Sequence, residues 1–195
     1  MVIAYHLILT AYGQWLPNDP RGSMSRKVVA GKLDELGPMH PGRKRIQPGR
    51  AALKSFYRKA QRELEHCPLW FDETKRSVIP HAFREMIRIR RYTCFACAIL
   101  VNHAHLVIRK HRDKAETMII ELKKESATRL RRLADAPDNH PVWSGDQFKR
   151  FLSSGGDIRR TIRYVRENPT KEGLGPQDFP FVKEYRGEWD RGVRT

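Results

Sequence analysis

Residues 98–110 read AILVNHAHLVIRK, two apolar runs that are separated at Val101 and Asn102. Side chains alternate between the two faces of a β-strand, so His103 and His105 would project side by side from one face. Two imidazoles held in this way can share one divalent cation. A lone His-x-His pair is weak support for a metal site, so the function of this stretch depends on what the rest of the chain brings to it.

The elements around this stretch predict an α+β, ferredoxin-like fold. Four segments have the composition or position of strands: residues 2–10, 92–100, 103–109 and, with weak propensity, a strand within 143–152. Three segments have the apolar spacing or the start signal of helices: residues 51–66, a helix beginning near Pro80, and 113–133. The segments 92–100 and 103–109 would pair as a hairpin. The resulting order β-α-β-β-α-β is ferredoxin-like, with an antiparallel sheet.

The length of 195 residues fits a single domain with a hydrophobic core. Residues 14–79 exceed what a minimal fold of this kind needs, and we interpret them as an insertion. The three cysteines are an odd number without a secretory signal, which favours reduced thiols in a cytoplasmic protein. No apolar run approaches the roughly 20 residues that span a bilayer, so no membrane association is expected.

The formal net charge of +16 predicts attraction to polyanions, and nucleic acid is the leading partner. Six cations on predicted helices are candidates for DNA contact: Arg84, Arg88, Arg91, Lys123, Lys124 and Arg160. A row of cations on a helix is equally compatible with a solvated surface. Contact with DNA is therefore a hypothesis for each of them.

A last helix is predicted over about residues 157–168, with Asp157 as its N-cap and Pro169 as its end. Its packing stripe consists of Ile158, Ile162 and Val165. Tyr164 lies roughly 130° from that stripe, at about 100° per residue, and Asn168 lies one turn further on the same side. The helix therefore presents a phenol and an amide to something other than its own core.

A tyrosine is a poor nucleophile at neutral pH because its phenol has a pKa of about 10. It becomes useful against a phosphodiester when a metal ion polarises the phosphate and stabilises the leaving oxygen. Two imidazoles and one amide oxygen leave positions open for phosphate and water, which suits Mg²⁺ or Mn²⁺. His6, in the predicted first strand, would approach such a metal if its strand neighbours that of His103, but we assign it a structural role.

Three motifs resemble a known family. LVNHAHLVI (100–108) resembles the His-hydrophobic-His signature of single-tyrosine HUH transposases. RYVRENPTKEGL (163–174) resembles the tyrosine-bearing helix and tail of REP-associated tyrosine transposases, and VWSGDQFKRF (142–151) is similar to the region that they carry between the two. The resemblance covers residues 92–174, and more loosely residues 2–13.

The resemblance implies a metal-dependent transposase that acts on single-stranded hairpin DNA. His103 and His105 would bind the divalent metal, Mg²⁺ or Mn²⁺, with Asn168 as a further ligand. Tyr164 would attack the DNA and leave a 5′-phosphotyrosine and a free 3′-hydroxyl. A monomer and a homodimer with exchanged helices are both compatible with this chemistry, so Tyr164 would act in cis or in trans.

Two alternatives keep the same fold. In the first, the chain is a domesticated hairpin-binding protein that has lost turnover, and its DNA binding would be salt-sensitive and independent of metal. In the second, it is a replication initiator or relaxase. Those proteins often place a second tyrosine nearby, whereas the predicted helix contains only Tyr164.

Overall fold

The computed structural model describes residues 1–23, 36–40, 42, 44–133, 139–145 and 148–187. The described chain forms β1 (Ala4–Thr10), α1 (Arg50–Glu63), α2 (Glu73–Arg90), β2 (Cys94–Ile99), β3 (His103–Arg109), α3 (Ala115–Leu130), β4 (Phe148–Leu152) and α4 (Gly155–Lys171). The strands form one sheet in the order β2-β3-β1-β4, in which β1 pairs antiparallel with β4 and β2 with β3. The predicted α+β class with an antiparallel sheet is confirmed.

The described chain divides into two compact units. The sheet unit comprises Met1–Leu9, Phe71–Asp138 and Gln147–Thr195, and the loop unit comprises Thr10–Trp70 and Asn139–Asp146. Most of the predicted insertion lies in the loop unit, but residues 73–79 form the first part of α2 in the sheet unit. None of the described helices is both long and apolar enough to cross a membrane.

The prediction that a helix starts near Pro80 was wrong, because α2 begins at Glu73. Its N-cap is Asp72, whose carboxylate accepts a hydrogen bond from the backbone N–H of Lys75. A proline inside a helix costs about 3 kcal/mol, since it removes one backbone bond and crowds the preceding turn. Full burial of Ile79 before the proline and of Phe83 after it offsets this cost.

The predicted bounds of the last helix were also wrong. Ser154 is the N-cap of α4: its hydroxyl accepts a hydrogen bond from the backbone N–H of Asp157 at 3.0 Å and donates one to the Asp157 carboxylate at 2.7 Å. This reciprocal cap sets the helix start three residues earlier than predicted. At the other end the helix continues through Pro169 to Lys171, and the burial of this proline offsets the cost of the backbone bond that it removes.

Different helices cover the two faces of the sheet. His6 of β1 lies opposite Arg150 of β4, and Leu7 lies opposite Lys149. Directly paired residues share a face, so His6 and Leu7 project to opposite sides. The ammonium of Lys149 forms an ion pair with Glu116 of α3 at 2.6 Å. α3 therefore covers the Leu7 face and leaves the His6 face to another element.

α4 covers the face to which His6 projects. One buried cluster joins strand residues to α4 residues and includes Ala4, Val107, Ile158, Ile162 and Val165. Ala4 lies two residues from His6, and Val107 lies two residues from His105, so these histidines project toward the same side as the cluster. The predicted packing stripe of the helix is confirmed.

A buried ionic network stabilises part of the loop unit. The carboxylate of Asp19 is fully buried, and it accepts hydrogen bonds from the guanidinium of Arg21 at 2.6 and 2.9 Å and from the hydroxyl of Tyr57 at 2.6 Å. The Arg21 guanidinium lies 3.7 Å from the centre of the Trp15 ring, a cation–π contact. Burial raises the pKa of Tyr57, so its phenol remains a donor.

We expect Asp19→Ala to lower the free energy of unfolding of the loop unit by up to about 3–5 kcal/mol, because the partly buried Arg21 guanidinium would lose its carboxylate. Urea denaturation followed by tryptophan fluorescence measures the change. The control is Glu85→Ala, which removes an exposed ion pair with Arg88 and should leave the midpoint unchanged. A midpoint for Asp19→Ala as high as that of the control would contradict the importance of the network.

Candidate active site

Three buried histidines and one asparagine form a chain of polar contacts on the α4 side of the sheet. The Nδ1 atom of His103 donates a hydrogen bond to Oδ1 of Asn102 at 2.7 Å. The Nε2 atoms of His103 and His105 lie 3.0 Å apart, and Nδ1 of His105 lies 3.0 Å from Nε2 of His6. The contacts join β3 to β1, which are neighbours in the sheet.

Burial keeps two of these imidazoles neutral. Burial, and then the charge of Arg150, lowers the pKa of His6 to about 4. Burial, and then His103 and His6, lowers the pKa of His105 well below its ordinary value. At neutral pH both rings are therefore uncharged, which is the form in which an imidazole binds a metal ion.

The pair of Nε2 atoms fits a small divalent ion. Nδ1 of His103 donates its proton to Asn102, so Nε2 is the ring nitrogen through which the neutral form of this side chain would bind a metal ion. Adjacent ligands of an octahedral ion with bonds of about 2.1 Å are separated by about 3.0 Å. The two Nε2 atoms show that separation, 3.0 Å. The spacing thus fits two adjacent ligands of a divalent ion, and the identity of that ion as Mg²⁺ or Mn²⁺ stays a prediction.

The histidines offer two ligands rather than three. Within the described ranges, no group of three or more His, Cys, Asp or Glu side chains is arranged to hold a metal ion. His6 contacts Nδ1 of His105, on the side of that ring away from the Nε2 pair. Asn168, the predicted third ligand, is buried on α4, and across the described residues its side chain makes no hydrogen bond to either predicted metal-binding histidine.

Tyr164 lies against the histidine chain. Its ring centre is 5.6 Å from that of His105 and 6.1 Å from that of His6, and both contacts are edge to face. The side chain is 45% exposed, so a large ligand can approach it from solvent. The structure therefore places the predicted nucleophile against one predicted metal-binding histidine, His105, which in turn contacts the other, His103, within one chain.

The six cations predicted to contact DNA do not share one surface. Arg84, Arg88 and Arg91 lie on or at the end of α2, Lys123 and Lys124 lie on α3, and Arg160 lies on α4. α2 packs against α3, whereas α4 covers the opposite face of the sheet. Arg88 and Arg160 also form ion pairs, with Glu85 and Asp157. Contact of these six residues with DNA stays a prediction.

One feature near the site was considered in the sequence only as a possibility, and another was missed. The approach of His6 depended on which strands become neighbours, and its contact with His105 joins residues 99 positions apart that no local pattern brings together. The second feature is a stripe of exposed arginines on α4, Arg159, Arg163 and Arg166. Its spacing of four and three residues was visible in the sequence and indicates one helical face.

Among known proteins, the chain is similar to several solved structures. No family model and no curated protein matches the chain. One matching structure is of the REP-associated tyrosine transposase bound to a REP hairpin; the match has 15% identity and a TM-score of 0.48, and covers 91% of this chain and 74% of the other. Another is a candidate transposase from Deinococcus radiodurans R1, with 11% identity, a TM-score of 0.43, and coverage of 90% of this chain and 94% of the other.

Both structures are described as transposases.

Proposed function

We propose that this chain is a metal-dependent transposase that cuts and rejoins single-stranded DNA at a hairpin through Tyr164. One observation carries the proposal: the Tyr164 ring lies 5.6 Å from His105, whose Nε2 atom is paired with that of His103. Phosphoryl transfer needs a nucleophile positioned beside groups that bind a phosphate-polarising ion. The formal net charge of +16 favours a polyanionic substrate.

Tyr164 supplies the nucleophile. Its phenolic oxygen loses a proton and attacks the phosphorus, forming a tyrosyl–phosphate bond while the bond from phosphorus to the 3′ oxygen breaks. The departing 3′ oxygen takes up a proton, which leaves a 5′-phosphotyrosine and a free 3′-hydroxyl. Attack of a 3′-hydroxyl on the phosphotyrosine reverses these changes and rejoins DNA, so the linkage conserves the energy of the broken bond.

His103 and His105 would hold Mg²⁺ or Mn²⁺ through their Nε2 atoms, with oxygen ligands from Asn168, water or the DNA. An ion bound there would polarise the phosphate and stabilise the leaving oxygen. Asn102 fixes the tautomer of His103 through the hydrogen bond at its Nδ1 atom. Burial among apolar strand residues holds both rings in place.

His6 is expected to orient His105 in the same manner. When His105 donates its Nδ1 proton to Nε2 of His6, its own Nε2 atom is free to bind a metal ion. His6→Phe keeps a ring against Tyr164 but removes the acceptor, and we expect the Mn²⁺ affinity of the DNA-free protein to fall by about 10–100-fold. Electron paramagnetic resonance of unbound Mn²⁺ measures it.

His6→Gln is the matched variant, because a glutamine can still accept the proton of His105. It should recover part of the affinity that His6→Phe loses. If His6→Phe binds Mn²⁺ as tightly as the wild type does, His6 only packs against its neighbours.

The proposed function is tested with a labelled hairpin oligonucleotide that carries a single-stranded flank. With Mg²⁺ or Mn²⁺ we expect a covalent protein–DNA adduct that survives a denaturing gel, and with EDTA we expect none. A protein that binds the hairpin tightly yet forms no adduct with either metal would contradict the proposal. That outcome would favour the alternative of a hairpin-binding protein without turnover.

A further inference from the structure

A groove lies between α4 and residues 174–187, which we name the C-terminal segment. We infer that this groove binds one unpaired nucleotide of the DNA strand, with the base in a cavity beside Phe179 and the phosphate on Arg163 and Arg166. The inference rests on the proposed single-stranded DNA substrate. The groove lies away from Tyr164, and the nucleotide that it binds does not itself take part in the strand-transfer reaction.

The C-terminal segment is fixed to β2 at two points. The side-chain amide of Gln177 donates to the carbonyl of Ile99 and accepts from its N–H, both at 2.8 Å. Further along, the N–H of Lys183 donates to the carbonyl of Cys94 at 2.8 Å, and Val182 forms a parallel bridge with Cys94. The walls of the groove are therefore held in position before any ligand arrives.

Between these two points the segment turns away from the strand and leaves a cavity of about 420 Å³. The N–H of Val182 donates to the carbonyl of Phe179 at 2.9 Å, which closes the turn. Ala96 and Cys97 of β2 form the floor of the cavity, and Phe179 and Arg166 line its sides. Its volume lies in the range of small-ligand sites, about 300–1,000 Å³.

The cavity wall suits a flat aromatic ring. Phe179 and Phe181 are stacked, with ring centres 5.5 Å apart and planes inclined by 9°. A base that enters the cavity would extend this stack, and stacking of a base on an aromatic side chain is tolerant of sequence. Asp178, which also lines the cavity, offers carboxylate oxygens to the amino groups of a base.

The opposite wall suits a phosphate. Arg159, Arg163 and Arg166 follow one face of α4 and are exposed. Arg159 lies over the ring of Tyr185, with 5.8 Å from the guanidinium to the ring centre. Neither Arg163 nor Arg166 forms an ion pair in the described part of the chain. The carboxylates of Glu167 and Glu184 line the same part of the groove, and that of Glu167 interacts electrostatically with Arg163. The two guanidinium groups lie beside an aromatic cavity, an arrangement that matches the phosphate and the base of one nucleotide.

The groove also lies on a path from the proposed nucleophile. At about 100° per residue, the arginine stripe is roughly 130° around α4 from Tyr164, with the exposed outer face between them. A DNA strand that crosses this face from Tyr164 would meet Arg163 before Arg166. The DNA strand would thus contact α4 at Tyr164 on one side of the helix and at the arginines on the other.

The test is binding in EDTA, so that it does not depend on cleavage. Fluorescence anisotropy would compare a hairpin that carries a single-stranded flank with the same hairpin lacking it. For the flanked hairpin we expect Phe179→Ala to weaken binding by about tenfold, the effect of losing one stacked base. Arg166→Gln should also weaken it and should reduce the slope of log K against log salt by about 1. Binding of the hairpin without a flank should stay unchanged for both variants.

Arg58→Gln is the control, because it removes the same charge from an exposed site on α1 of the loop unit. Equal binding of the flanked hairpin by wild type, Phe179→Ala and Arg166→Gln would overturn the inference, even if the wild type forms the covalent adduct. Conversely, selective weakening by both variants would support the groove even if no adduct forms. Should Phe179→Ala unfold the segment, Arg166→Gln alone decides, because its side chain is exposed.

Discussion

Tyr164→Phe is expected to form no detectable covalent adduct with hairpin DNA, a loss of at least about 1,000-fold, because the attacking oxygen is removed outright. The phenyl ring keeps its edge-to-face contacts with His105 and His6, whose ring centres lie 5.6 and 6.1 Å away. Folding and hairpin binding should therefore remain at the wild-type level. A denaturing gel measures the adduct, and anisotropy in the same buffer measures binding.

Tyr5→Phe is the matched control for this variant. Tyr5 lies on β1 beside His6 in sequence but projects to the other face of the sheet, where its ring contacts Phe151 with centres 5.8 Å apart. Its removal should leave adduct formation unchanged. An adduct in Tyr164→Phe, or its loss in Tyr5→Phe, would show that the nucleophile had been misassigned.

His105→Ala is expected to weaken Mn²⁺ binding by more than about 100-fold. Removal of the residue that hydrogen-bonds to a metal ligand lowers the affinity about 10–100-fold, and removal of the ligand itself should lower it further. His105 is central to the site because its Nε2 atom contacts His103 and its Nδ1 atom contacts His6. Metal-dependent adduct formation should be lost with the affinity. Electron paramagnetic resonance and the gel assay measure the two effects separately.

The control for His105→Ala is His81→Ala, which removes an exposed imidazole from α2. It should change neither Mn²⁺ affinity nor adduct formation. Retained hairpin binding by His105→Ala would show that the protein is folded. Adduct formation by a folded His105→Ala protein at the wild-type Mn²⁺ concentration would contradict the metal assignment.

The side-by-side projection of His103 and His105 was predictable from the sequence because it follows from the alternation of a single strand. The off-stripe position of Tyr164 was predictable from the period of a single helix. Both are local properties. The start of α2 was not predicted, since the cap at Asp72 and the burial of Ile79 and Phe83 outweigh the proline between them.

The features that the sequence did not predict depend on which strands and helices become neighbours in the fold. The neighbouring positions of β1 and β3 place His6 behind His105, and no periodicity within either strand specifies that pairing. Likewise, the spacing of cations along α2, α3 and α4 does not reveal which face of the sheet each helix covers. For this reason the six predicted DNA-contacting residues were grouped in the sequence but are divided in the fold.

The contacts of the C-terminal segment also bear on the solubility of the protein. β2 and β4 are the outer strands of the sheet, and an outer strand can pair with another molecule and start aggregation. β4 carries Lys149 and Arg150, and such charges oppose association between molecules. Every residue of β2 is buried and apolar, so it has no such charge. In place of a charge, the side-chain amide of Gln177 forms hydrogen bonds with both the carbonyl and the N–H of Ile99, so these groups cannot pair with another molecule.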